Sequence, residues 1–248
     1  PPPPHWWPHC WQVEKDRNSA VGWRYLMQPW LRTPLMIAVC IMFFQQFVGI
    51  NTVIYYSPKI FLMAGFESTL SAIWASVGIG IVNVVFTVIS LYLVDRIGRR
   101  KLYFIGLSGI AFSVLCLSAC FIYANQLGEI GRWLMVIFMF GYVAFFAISI
   151  GPLGWLVISE IFPQKVRGLG TSIGSLAVWI FNCIVSFTFF KIIDFFSIPG
   201  TEIVVGQTTS ENPAGAFFLY GFIAVLGLVW ETGRISYYTS KKEVVYTS

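Results

Sequence analysis

Six stretches of this 248-residue chain contain no Asp, Glu, Lys or Arg: 35–57, 70–94, 102–125, 133–158, 169–190 and 214–230. Nothing else in the sequence restricts the fold as strongly. About 20 mostly apolar residues make a helix that crosses the hydrocarbon of a bilayer. Inside lipid each backbone N–H and C=O needs a partner from the chain itself, so runs of this length become helices. The predicted spans lie near 35–62, 70–94, 102–125, 133–158, 169–193 and 214–230. The last is the shortest, with about 17 residues between Pro213 and the charged Glu231–Arg234. Charged residues make up 11% of the chain, against roughly 25% in soluble domains. The expected fold class is an all-α membrane protein, a six-transmembrane-helix bundle. It divides into an N-terminal segment 1–33, the bundle 34–233 and a tail 234–248, with the lipid bilayer as its first partner.

The basic residues fix an orientation. With the N-terminus in the cytoplasm, the inner segments hold thirteen of the sixteen Lys and Arg, and only Lys59, Arg132 and Lys191 remain outside. That asymmetry places both termini in the cytoplasm. The net charge of +5 therefore reflects membrane orientation, and no nucleic-acid partner is implied. Five cysteines, four of them at or inside apolar runs, do not form a disulfide framework. The Pro- and Trp-rich opening, PPPPHWWPHCW, is not a secretory signal, because it has no apolar core. Its His5, His9 and Cys10 lack a fourth ligand and a metal-binding spacing.

The polar residues inside the spans carry the functional signal. QQFVGINTVIYY at 45–56 puts three amides and two tyrosines deep in an apolar run. Each amide costs on the order of 2–7 kcal/mol in hydrocarbon unless it is hydrogen-bonded. At roughly 100° per residue Gln45, Gly49, Thr52 and Tyr56 share one face, whereas Gln46 lies to one side and Asn51 and Tyr55 to the other. One straight helix cannot aim them all at a single place. The expectation is a helix that bends or unwinds around Gly49–Ser57, assisted by Pro58. GPLGW should likewise weaken the fourth span before Trp155. Ser76, Gly80, Asn83, Thr87 and Ser90 form a stripe on the second span, and Thr171, Ser175, Trp179, Asn182 and Ser186 one on the fifth. Such stripes can simply let helices pack closely. An Asn on each, and a Trp on one, favours a wet cavity. Amides, hydroxyls and indoles without fixed charge suit a sugar, whose vicinal hydroxyls take bidentate amide bonds and whose C–H face packs on an aromatic ring. On this reading the amides bond across the cavity.

QQFVGINTVIYYSPKIF, DRIGRRKL, GPLGWLVISEIFPQKVRG and the later Trp179 and Asn182 together resemble the sugar porters of the major facilitator superfamily. Their order resembles the C-terminal six-helix half, over roughly positions 24 to 230. The resemblance implies alternating access around a midplane monosaccharide site, either as a facilitator or as a proton symporter, with an N-terminal six-helix half as partner and no cofactor. It implies that Gln45, Gln46, Asn51, Asn83, Trp155, Trp179 and Asn182 bind sugar and that Tyr55 and Tyr56 gate the outer side. It also implies a cytoplasmic charge network of Asp95, Arg96, Arg99, Arg100, Glu160, Arg167 and Glu231 that latches one state. Three departures stand out: Ala147 where some facilitators carry an acid, Val178 where relatives often have a polar contact, and WETGR, which only partly resembles the usual ending. The alternative class is a non-transporting sensor or interaction subunit, against which the short tail of about 15 residues counts. An enzyme is not expected, because no acid–base or nucleophilic constellation is visible.

The orientation has a direct test. In a cysteine-free background, an impermeant thiol reagent added outside should label a cysteine placed at Thr208 and spare one at Gln164. The opposite pattern would invert the topology.

Overall fold

The computed structural model describes residues 29–66, 68–162, 164, 166–196, 203–205, 208–210 and 212–246. The histidines and the cysteine of the opening segment lie outside them. In chain order the elements are α1 (Pro29–Phe47), α2 (Ile50–Met63), α3 (Thr69–Ile97), α4 (Arg99–Ile122), α5 (Ala124–Ile148), α6 (Ile150–Ile161), α7 (Arg167–Phe195), β1 (Ile203–Val205), β2 (Thr208–Ser210) and α8 (Ala214–Tyr246). Among the described residues five helical stretches are long and apolar enough to cross a membrane: Leu31–Met63, Thr69–Ile97, Arg99–Ile122, Gln126–Ile161 and Arg167–Phe195. A shorter apolar stretch, Ala214–Trp230, opens α8. The short antiparallel pair β1–β2, with Val204 opposite Thr209, lies in the segment between α7 and α8. The protein is a helical membrane bundle.

The core runs through α1, α2, α4, α5 and the start of α8, where Val53, Phe61, Leu107, Val114, Tyr142, Val143 and Phe217 are buried against one another. A smaller cluster joins α1 to α6 and α7 through Leu31, Met42, Ile158, Phe162 and Val178. Glycines let α4 and α5 approach closely, since a Cβ on Gly109 would meet the Phe145 ring at 2.3 Å. Asn212 ties α4 to α8: its Nδ2 donates to the Phe121 carbonyl, and its Oδ1 accepts the Ala214 N–H at the helix start. By contrast α3 turns a long apolar face outward, including Trp74, Ile81, Val84 and Leu91.

Two spans are broken. α1 ends at Phe47 and α2 starts at Ile50, with Gly49 between them in the left-handed region, φ 87° and ψ 16°. The Gly49 N–H donates to the Gln46 carbonyl and the Gly49 carbonyl accepts from Val53, so one residue both closes a helix and opens the next. The break is narrower than the expected bend over Gly49–Ser57, and Pro58 takes no part in it. α2 runs through Pro58 because the carbonyl that lost its donor, that of Ile54, accepts from the Ser57 hydroxyl instead at 3.2 Å. The second break falls at Ser149, with φ −119° and ψ −95°. It lies two residues before GPLGW, earlier than expected: Pro152 of that motif leaves Ile148 without its helical donor, while α6 runs unbroken through Gly154 to Trp155. Pro152 occupies the first turn of α6, where a missing N–H costs little. Gly154 makes room: its Cβ would lie 3.0 Å from the Gln45 amide nitrogen.

Broken helices leave carbonyls without donors, and in this bundle hydroxyls supply them. Ile148 would ordinarily bond the N–H of residue 152, a proline, and accepts instead from Ser90 Oγ at 2.6 Å. Ser149 returns its own hydroxyl to Phe145 at 2.7 Å. At the first break Val48 accepts from the Tyr142 hydroxyl at 2.9 Å. Two substitutions should expose these costs in thermal melting of the detergent-solubilised chain. Gly49→Ala puts a Cβ at positive φ and 2.4 Å from the Tyr220 ring, and should destabilise by about 2 kcal/mol or more. Tyr142→Phe keeps the ring and orphans the Val48 carbonyl, a loss of roughly 1–3 kcal/mol. An unchanged melting point in Tyr142→Phe would remove that bond from the account.

Candidate functional site

At the Gly49 break the three amides of QQFVGIN form a chain. Gln45 and Gln46 end α1, and Asn51 lies in the first turn of α2. Asn51 Nδ2 donates to Gln46 Oε1, and Gln46 Nε2 donates to Gln45 Oε1 at 3.3 Å. Gln45 Nε2 then donates to the backbone carbonyls of Ile150 and Gly151, at 2.9 and 3.0 Å. The glutamines are buried and Asn51 is half-buried. The expectation that these amides bond across a cavity needs correction: they bond first to one another and to the start of α6. That pairing removes most of the desolvation cost that made the stretch anomalous. An amide has two N–H donors and a two-lone-pair oxygen. Among the described residues Gln46 therefore keeps one N–H, and Asn51 its oxygen and one N–H, without a hydrogen bond.

A second polar group joins α2 to α7. Asn182, buried on α7, donates from Nδ2 to the Tyr55 hydroxyl at 3.4 Å and accepts from Ser186 Oγ at 3.1 Å. Tyr56 donates to the Ser186 carbonyl at 3.4 Å, stacks on Phe189 with ring centroids 5.4 Å apart and meets Phe190 edge-on at 4.7 Å. The adjacent tyrosines thus have different surroundings. Tyr55 is 54% exposed, whereas Tyr56 is half-buried among phenylalanines.

Asn83, Trp155 and Trp179 are not drawn into either group. Asn83 is half-buried on α3, and its amide has no hydrogen bond among the described residues. Trp155 on α6 and Trp179 on α7 are 43% and 65% exposed, an unusual placement for rings that would otherwise dominate a core.

The charged ends of α3, α4, α6 and α7 contribute one ion pair, Arg99 Nη1 to Glu160 Oε2 at 2.6 Å. Asp95, Arg96, Arg100 and Arg167 are exposed and form no ion pair among the described residues. The side chain of Glu231 lies outside them. With half of the arginine and a third of the glutamate exposed, the pair adds at most about 1 kcal/mol to stability.

Sequence reasoning missed Tyr142 and Tyr220. Tyr142 holds the Val48 carbonyl, and Tyr220 lies over Gly49 with its hydroxyl 3.5 Å from that of Thr52. The available signal was a single hydroxyl in each of two long apolar runs, FGYVAFF and FFLYGF.

Comparison with known proteins places the chain in a family. The sequence profile of a family described as "Sugar (and other) transporter" matches residues 11–236. A D-xylose transporter of Levilactobacillus brevis is 39% identical over 183 residues, 74% of this chain and 40% of its own length. A glucose transporter of Staphylococcus epidermidis is 35% identical over 217 residues, 88% of this chain and 45% of its own. Among solved structures, the proton:xylose symporter XylE bound to 6-bromo-6-deoxy-D-glucose superposes with a TM-score of 0.70 and 31% identity, covering 90% of this chain and 43% of that one. The chain therefore spans less than half the length of the relatives it matches. The chain belongs to the sugar porter family of the major facilitator superfamily.

Proposed function

We propose that this chain is the C-terminal bundle of a monosaccharide carrier, which moves a hexose or pentose by alternating access together with an N-terminal six-helix half. The observation that carries the reading is the amide chain at the Gly49 break. It holds two glutamines in place and leaves hydrogen-bonding capacity on Gln46 and Asn51. Neutral donors and acceptors in pairs suit vicinal hydroxyls, whereas an ion would need a counter-charge. Gln45 orients this set through α6. Asn83, Asn182, Trp155 and Trp179 complete the sugar site, the indoles packing on the C–H face of the ring. Tyr55 and Tyr56, on the far side of the break, gate the outer entrance. Asp95, Arg96, Arg99, Arg100, Glu160, Arg167 and Glu231 form the latch at the cytoplasmic end, with Arg99–Glu160 as its closed contact. Both termini face the cytoplasm of a plasma-membrane protein. The apolar runs hold no Asp, Glu or His, so in a proton symporter the proton-binding carboxylate belongs to the N-terminal half.

Alternating access needs a second bundle to close the other wall of the site. The 248-residue chain reconstituted alone should give no saturable, stereospecific glucose or xylose uptake. Supplied with the N-terminal six helices of a related sugar porter, it should gain uptake. In that assembly Gln46→Ala, losing a bond worth about 0.5–1.5 kcal/mol, should weaken sugar binding several-fold. Uptake by the chain alone would replace this reading with a half-sized carrier acting as a homodimer. Unchanged affinity for each sugar tried would take Gln46 out of the site.

A further inference from the structure

Lys59 stands inside an apolar span, four residues before the end of α2. A lysine near a helix end commonly buries its stem and extends its ammonium to water. This one does something more specific. Its Nζ lies 4.1 Å from the centroid of the Phe190 ring on α7. Phe190 is the ring that Tyr56 meets edge-on, and Tyr56 stacks on its neighbour Phe189. One turn of α2 thus presents a tyrosine and an ammonium to the same phenylalanine.

The α2–α7 contact is a ladder with three rungs. Tyr55 meets Asn182, Tyr56 meets Ser186 and the two phenylalanines, and Lys59 covers Phe190. The first two rungs are long hydrogen bonds, 3.4 Å each, and hold weakly. The cation–π contact is the rung farthest from the Gly49 break, where α2 has the most leverage about that point. A cation is attracted to the face of an aromatic ring even where, as at Lys59, the side chain is exposed.

We propose that Lys59 is a positioning residue for the Tyr55–Tyr56 pair. Its cation–π contact with Phe190 docks α2 on α7 and sets how often the two tyrosines sit on Asn182 and Ser186. The proposal rests on the reading of that pair as the outer gate.

The test reads the α2–α7 distance without substrate. Spin labels are placed on native Cys183, exposed on α7, and on a cysteine introduced at Ile54 on α2. The other cysteines are replaced by alanine, and the full chain is held in lipid nanodiscs. The parent should show one dominant distance. Lys59→Met and Phe190→Leu should each shift the ratio of docked to undocked populations on the order of 2- to 10-fold. Lys59→Arg and Phe190→Tyr, which keep a cation and an aromatic face, should retain the parent distribution and control for misfolding. The double variant Lys59→Met, Phe190→Leu should go no further than either single change, because both remove one contact. Distributions unchanged in the two losses, additive losses, or an arginine no better than methionine would each overturn the proposal. No sugar enters the measurement, so a failure of uptake counts against the carrier reading alone.

Discussion

The two broken spans hold each other open. Gln45, just before the first break, donates to Ile150 and Gly151 just after the second. Tyr142, about two turns before the second break, donates to Val48 at the first. The bonds run in opposite senses between the same two sites: Tyr142 supplies a donor to a carbonyl at the first break, and the first carbonyls of α6 satisfy the Gln45 amide. Hydrocarbon gives an unbonded carbonyl nothing, and the cost is several kcal/mol apiece. Gly49 matters because it allows the turn without a Cβ against Tyr220, and Pro152 because it denies Ile148 its usual donor. The rest of the polar machinery follows from that pairing, including the placement of Gln46 and Asn51.

Each donor in this seam is neutral. A lysine or arginine serving the same carbonyls would have to be stripped of water, and its partners in the seam would be dipoles rather than counter-charges. Hydroxyls and amides avoid that expense. Their bonds to backbone oxygens resemble the helical bonds they replace, about 1 kcal/mol each in net terms. Charge is confined to the ends of the bundle, where Arg99 meets Glu160 in partial contact with water. Lys59, exposed near the end of α2, lies against a ring face.

Much of this was legible in the sequence, and what was not has physical reasons. The spans follow from runs without charge, because lipid leaves so few alternatives for a backbone. That the amides of QQFVGIN need partners follows from solvation alone. Which partners they take does not, since Gln45 and Ile150 are 105 positions apart and share no periodicity. Pro58 and Pro152 look alike as helix breakers. One is tolerated because the preceding serine repairs the lost bond, and the other because it sits in a first turn. Proline marks a missing donor without saying whether a neighbour replaces it. Likewise Ser149, which turns the backbone, reads in sequence as one more small residue. The stripes on α3 and α7 are legible as faces, yet only Asn182 of their two amides finds a bonded partner. Among the charges expected to act together, Arg99 and Glu160 come into contact, while Asp95, Arg96, Arg100 and Arg167 form no ion pair among the described residues.

The chemistry of the seam also bears on how the segments beyond the breaks can move. α2 and α6 each begin at a point where one or two residues interrupt the backbone bonding, so either can tilt by changing torsions at Gly49 or Ser149 without melting a turn. The Gln45 amide spans the Ile150 and Gly151 carbonyls at nearly equal distances, and a donor shared in this way can lean toward one as α6 shifts without losing both. Tyr142 differs, because a rigid ring carries its hydroxyl to one oxygen. The tyrosine ties one carbonyl at the first break, while the glutamine amide is divided between two carbonyls of α6. The two breaks are thus joined by one bond of fixed reach and one that is shared.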